Sequence, residues 1–251
     1  VVLDALTAPA KDPGWHSCTP RSAHLVGPYR VYDDAFGERR ECIRSTGANF
    51  LVETSSAPGP GGVVAYPAIQ YGSAYGYTTK GSGLPKPVSR MYHPLLSDTV
   101  TGSARGPWIA DYDSWFFPSR NTDRHGTAEM IIVERYPAGL ARGSLVRIAG
   151  KDYWLRSAYT CTDGADGECT SAPWPLIRFF AVHQASRAAG LPFRAFVQLA
   201  IRRGYLPRSD WWGSTDFGDE IWRGGRGLRN SLNVTWRKTC PRLQHICGGA
   251  S

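Results

Sequence analysis

An all-β, two-sheet antiparallel β-sandwich of the jelly-roll type, carrying one α-helix, is predicted for this 251-residue chain. Three observations predict it: many short runs of β-branched and aromatic residues, frequent glycine, proline, asparagine and aspartate turns between them, and a single stretch of helical periodicity. A chain of this length can bury a full core without dividing, and two-sheet β folds reach this size as one domain.

The strand-like runs come in order. Tyr29–Tyr32, Asn49–Thr54, Ala65–Tyr71, Met130–Val133 and Leu145–Ile148 are rich in residues that fit a pleated surface. Turn chemistry separates them, as in the Pro- and Gly-rich 57–62 and the Gly-rich 80–85. Between Pro192 and Arg203 the pattern changes: Phe193, Phe196, Val197, Ala200 and Ile201 recur at helical spacing, giving one apolar face. Pro192 suits the first helical turn, Arg202 and Arg203 suit the C-terminal end of the dipole, and Gly204 suits the left-handed residue that follows. Residues 1–17 lack periodicity and are expected to form an irregular lead, with one domain over residues 18–251.

Six cysteines, at 18, 42, 161, 169, 240 and 247, do not match the paired spacing of a zinc site. Local pairing gives Cys18 to Cys42, Cys161 to Cys169 and Cys240 to Cys247, one of 15 possible connectivities. Disulfides imply an oxidising compartment, and the chain reads as a mature secreted protein, expected to be a monomer. No apolar run approaches the ~18 residues of a membrane span. The net charge of +8 and pI near 9.3 would suit an acidic polymer, a wall or nucleic acid. The arginines are scattered rather than gathered into an arm, so a solvated basic surface accounts for the charge.

Several chemistries are excluded by their missing motifs. No serine sits in G-x-S-x-G, and the six histidines form neither H-E-x-x-H nor a pair at ligand spacing. Gly224-Gly225-Arg226-Gly227 lacks the Lys-Ser/Thr end of a phosphate loop, and no aromatic-basic stripe marks a nucleic-acid module. No cofactor and no metal are expected.

Carboxylates remain. Glu129 opens the apolar run Met130–Val133, where a charge could also sit harmlessly on a solvent face. Glu220 stands before Trp222 and the turn Gly224–Gly227, and a neighbouring indole can raise a carboxyl's pKa by desolvation. Two carboxyls flanking one bond are what glycosidic cleavage requires.

These stretches and others occur in the order found in glycoside hydrolase family 12, the compact endo-β-1,4-glucanases and xyloglucanases, which the chain resembles over roughly residues 18–236. Residues 27–37 (GPYRVYDDAFG) look like the early G-x-Y-x-x-Y-N-N-x-W-G motif, and 66–72 (YPAIQYG) look like Y-P-x-I-x-Y-G. Residues 110–116 (ADYDSWF) resemble A-Y-D-I-W-F, Glu129 falls in an E-V-M-I-W-like strand, and Glu220 falls in a segment similar to G-F-E-P/I-W-x-G-G-x-G-L. Residues 230–234 (NSLNV) follow as N-S-F-x-V, and the helix ends in R-G-Y at Arg203-Gly204-Tyr205.

The resemblance implies a concanavalin-like jelly roll whose concave cleft takes a β-linked polysaccharide, β-1,4-glucan first. It implies Glu129 as nucleophile, Glu220 as general acid/base, and Asp113 orienting Glu129 through a shared proton or hydrogen bond. Retention would place the two glutamates about 5 Å apart. Asp34, Phe36, Tyr71, Tyr75, Trp115 and Trp222 become the expected substrate contacts. Asp34, Phe36 and Tyr75 replace the Asn, Trp and Trp of the pattern, and Val133 replaces a strand Trp, so the polymer is less firmly implied than the reaction. Xyloglucan, another wall glycan that is acidic or microbial, and a non-catalytic carbohydrate-binding sandwich are the alternatives. Asp219 should face away from the cleft because strand neighbours alternate, and Arg226 is either a solvent-facing turn residue or a contact for an anionic sugar.

Overall fold

The computed structural model describes residues 14–37, 40–56, 62–102, 104, 106–161 and 171–237. In chain order the strands are β1 (Trp15–Ser17), β2 (Ala23–Val26), β3 (Tyr29–Tyr32), β4 (Arg40–Ser45), β5 (Asn49–Ser56), β6 (Ala68–Ala74), β7 (Tyr77–Thr78) and β8 (Lys86–Pro87). After these come β9 (His93–Thr101), β10 (Trp108–Phe117), β11 (Ala128–Arg135), β12 (Ser144–Ile148), β13 (Lys151–Thr160), β14 (Trp174–Ala181), β15 (Arg187–Pro192), β16 (Trp211–Ile221) and β17 (Arg229–Arg237). The helix α1 spans Phe193–Arg202.

A six-stranded sheet runs in the order β1-β4-β5-β17-β9-β15. It faces an eleven-stranded sheet ordered β12-β13-β14-β11-β10-β16-β6-β3-β2, with β7 and β8 at its margin. Among the described strands pairing is antiparallel, as expected of the sandwich, apart from β11 with β14, where the strands run parallel. Trp15–Ser17, expected in the irregular lead, instead pair with Ile43–Ser45 as an edge strand. Residues 1–13 of the lead lie outside the described residues.

Alternation along the strands divides each sheet into two faces. Phe50, Val52, Leu96, Val100, Leu232 and Val234 of the smaller sheet meet Val31, Ile69, Tyr112, Phe116, Met130, Ile132 and Phe217 of the larger one in a common core. The helix buries Phe193, Phe196, Val197 and Ala200 as its periodicity predicts, with Phe196 edge-on to both Tyr153 and Phe179. Pro192 is the residue before the first turn rather than within it, and Gly204, at φ +74°, closes the helix in the left-handed region, with the Tyr205 N–H donating to the Ala200 carbonyl.

Cys18 and Cys42 form a disulfide that ties the segment before β2, on the edge of the larger sheet, to β4 of the smaller one. Cys161 is also disulfide-bonded, while Cys169, Cys240 and Cys247 lie outside the described residues. No helix among the described residues is long and apolar enough to cross a membrane.

Candidate active site

The outward face of the larger sheet gathers most of the expected site residues, and register explains how. On β11, Ala128, Met130 and Ile132 point into the core, so Glu129, Ile131 and Val133 point outward. On β10 the core takes Ala110, Tyr112 and Phe116, leaving Ile109, Asp111, Asp113 and Trp115 on the same outer face as Glu129. On β16, Phe217 and Ile221 go inward and Asp216, Gly218 and Glu220 go outward. Asp219 therefore faces the core opposite Ala110, as alternation predicts, and is fully buried.

Glu129 lies opposite Trp115, and Glu220 lies opposite Ile109, on the two strands flanking β10. They sit toward opposite ends of the face, and the charge of Glu129 still acts on Glu220. Burial pushes the Glu220 carboxyl up to about 7; Arg178 opposes the shift and the charge of Glu129 adds to it. Burial also raises Glu129, but here a hydrogen bond from the Trp174 indole N–H to Oε2 at 3.0 Å and the Arg178 guanidinium both favour the anion. The two carboxyls are thus set in different surroundings, one supplied with a donor and one raised toward neutrality.

Asp113 stands between them on β10, directly opposite Asp216. Burial and the charges of Glu129 and Asp216 hold its carboxyl well above the usual range. Its Oδ2 accepts the Trp115 indole N–H at 3.1 Å, and its buried Oδ1 has no hydrogen-bond partner. Among the described residues no hydrogen bond joins Asp113 to Glu129; the Trp174 indole donates to Glu129 instead, and the charge of Glu129 helps to keep Asp113 protonated.

Beside these groups, a cavity of about 430 Å³ is lined by Asp34, Tyr75, Trp115, Asp113, Asp216 and Arg30, among others. Arg30 is almost fully buried, its guanidinium 3.8 Å from the Tyr77 ring centre and 4.4 Å from that of Tyr32. Asp216 accepts the Tyr32 hydroxyl at 2.8 Å, and burial pushes it up to about 6. On the other side of β10 the face is apolar: Ile109, Ile131, Val133, Leu176 and Phe180 cluster there, with Trp222 and Trp154 packed against them.

No protein-family model and no curated protein matches the chain. Among solved structures, a metagenome-derived glycoside hydrolase family 12 endoglucanase superposes with a TM-score of 0.79 at 28% identity, covering 90% of this chain and 99% of that one. An endoglucanase from Rhodothermus marinus gives 0.78 at 29% identity, over 90% and 100%. The chain thus resembles glycoside hydrolase family 12 endoglucanases over nine-tenths of its length. A family 12 xyloglucanase from Bacillus licheniformis shares the fold at 22% identity, with a TM-score of 0.74 over 89% and 100%.

On this family 12-like frame the expected contacts separate into three groups. Asp34, Tyr75 and Trp115 line the cavity, Tyr75 meeting Trp115 edge-on at 4.9 Å between ring centres. Trp222 joins the apolar patch, and Phe36 is exposed beyond the cavity lining. Tyr71 is corrected: it turns into the core, donating to the Ser82 carbonyl at 2.6 Å and accepting from the Trp236 indole, because Gln70, its strand neighbour, takes the outer face. Val133, standing where the pattern has Trp, belongs to the apolar patch, and Arg226 is exposed.

Three groups of the site escaped the reading of the sequence: Trp174, Arg178 and Asp111. Asp111 accepts the Tyr66 hydroxyl at 3.0 Å and is fully buried, with Glu220 the largest charge acting on it. It shares the parity of Asp113, two residues away on the same strand, which is a signal that could have found it. Arg178 is a charge inside the apolar run Leu176–Ala181, another such signal. Gly218, beside Asp111, has no room for a side chain: a Cβ there would lie 2.5 Å from the Pro67 carbonyl oxygen and 2.6 Å from the Ala68 Cβ.

Proposed function

We propose that this chain is a secreted, monomeric endo-glycosidase that hydrolyses a β-linked glucan, β-1,4-glucan first, by double displacement with retention. Glu129 attacks the anomeric carbon, Glu220 protonates the departing oxygen and then deprotonates water, and Asp113, on the strand between them, helps to orient Glu129. The observation that carries this reading is the contrast between two buried glutamates on one face. Glu129 receives an indole donor that favours the anion, whereas Glu220, raised to about 7, is suited to hold a proton near neutrality. The family 12 endoglucanases at 28% and 29% identity support the substrate class, and the Cys18–Cys42 disulfide supports export.

Substitution of each glutamate in turn tests the assignment. Glu129→Ala should lower turnover by several orders of magnitude and recover with azide, which attacks from the vacated side to give an inverted product. Glu220→Ala should be much less damaging on substrates whose leaving group needs no proton. NMR of the first wild-type product should show retained configuration. An inverted wild-type product removes Glu129 from the nucleophile's place, and a Glu129→Ala variant that keeps full activity returns the chain to a carbohydrate-binding role.

A further inference from the structure

We propose that Arg178 is a positioning residue for the catalytic pair: a guanidinium on the cleft face of β14 that offsets the crowded carboxylates and sets the pH range in which the pair holds one proton. The inference rests on the assignment of Glu129 and Glu220 above.

Its position follows from the parallel ladder. Arg178 lies beside Ile131 of β11, which shares the outer face with Glu129. Trp174, four residues earlier on the same strand and hence on the same face, reaches Glu129 directly. One strand therefore supplies both a donor and a cation to the site. Arg178 is half-buried and makes no salt bridge among the described residues, so its charge is not committed to one partner.

The groups around it are mostly acidic. Glu129 comes from β11, Asp111 and Asp113 from β10, and Glu220 from β16; Arg156 of β13 stands directly across from it with like charge. Arg178 favours the ionised form of Glu129, Glu220 and Asp111. Four carboxyls on one sheet face repel one another, and without a cation the nucleophile would share the general acid's preference for a proton. A long guanidinium that bonds to none of them acts on Glu129, Glu220 and Asp111 at once.

This makes a prediction that a purely structural arginine would not. Removing the charge should move both limbs of the bell-shaped kcat/KM profile in the same direction, to higher pH, because both glutamates lose the same stabilisation of their anions. The experiment is a titration of the full chain by carboxyl carbon NMR, with the two resonances assigned by Glu129→Gln and Glu220→Gln, for wild type, Arg178→Met and Arg178→Lys. Both carboxyls of Arg178→Met should titrate about one pH unit higher, and Arg178→Lys should return most of the shift.

Unchanged titrations, or a shift in one glutamate alone, overturn the inference. Full activity in Glu129→Gln and Glu220→Gln instead overturns the catalytic assignment, and the NMR titration still reports on Arg178 in that case. If Arg178→Met does not fold, Arg178→Gln carries the same expectation.

Discussion

The indole N–H of Trp174 donates to Glu129 Oε2 at 3.0 Å across the parallel ladder between β14 and β11. In an otherwise antiparallel-rich sandwich, that ladder delivers the donor that the proposed nucleophile receives. A hydrogen bond to a carboxylate favours the charged form, so its loss raises the carboxyl's pKa.

Trp174→Phe should therefore move the acid limb of kcat/KM upward by about one pH unit while leaving the alkaline limb, set by Glu220, in place. Turnover at mildly acid pH should fall roughly tenfold. A pH profile measured on a soluble substrate separates this from the Arg178 variants, in which both limbs move. An unshifted acid limb would show that the indole serves only to pack against Trp115.

Stability should fall as pH rises from 4 toward 7. Asp98 and Glu134 are buried in the core, and burial pushes their carboxyls up to about 6 and about 7. Unfolded, such groups release their protons near pH 4. Between those values the folded state binds more protons than the unfolded state, so each unit of pH rise costs stability, and the cost is absent below pH 4. Glu134→Gln should remove its share, stabilising the fold by on the order of 2 kcal/mol at pH 8 and by almost nothing at pH 4. Denaturant unfolding at the two pH values measures it, and equal changes at both would contradict the linkage.

Asp34 lines the charged cavity and Phe36 stands exposed beyond it, where the family pattern has Asn and Trp. Restoring both residues should raise activity on unsubstituted β-1,4-glucan severalfold, because an indole gives a larger stacking face and an amide can both donate and accept. Product yield against a panel of wall polysaccharides checks this. Loss of activity on every polymer would mean the cleft is built for a different glycan.

The sandwich was legible because its signals are local. Alternation and turn residues located the strands around Tyr29, Asn49 and Met130, and helical spacing located Phe193–Arg202. Asp219 was correctly turned from the cleft because parity within one strand needs no knowledge of its neighbours. Tyr71 shows the limit. Its motif suggested a sugar contact, yet only the position of Gln70 on the outer face reveals which parity belongs to the cleft. Trp174 and Arg178 depend on the pairing of β14 with β11, two strands more than thirty residues apart, and no local pattern encodes that register. Asp111 could have been found from Asp113, since the two share a strand and a face.

The Cys18–Cys42 bond has a consequence for where the enzyme can work. Arg21, on the cavity wall, is three residues from Cys18, and the carboxyls of Glu129 and Glu220 lie strands away. On the proposed function, cleaving the bond with a thiol reductant should loosen that rim while the strands that carry the two glutamates keep their pairing. KM should then rise before kcat falls, and a thiol-rich milieu would weaken the hold on the polymer ahead of the chemistry.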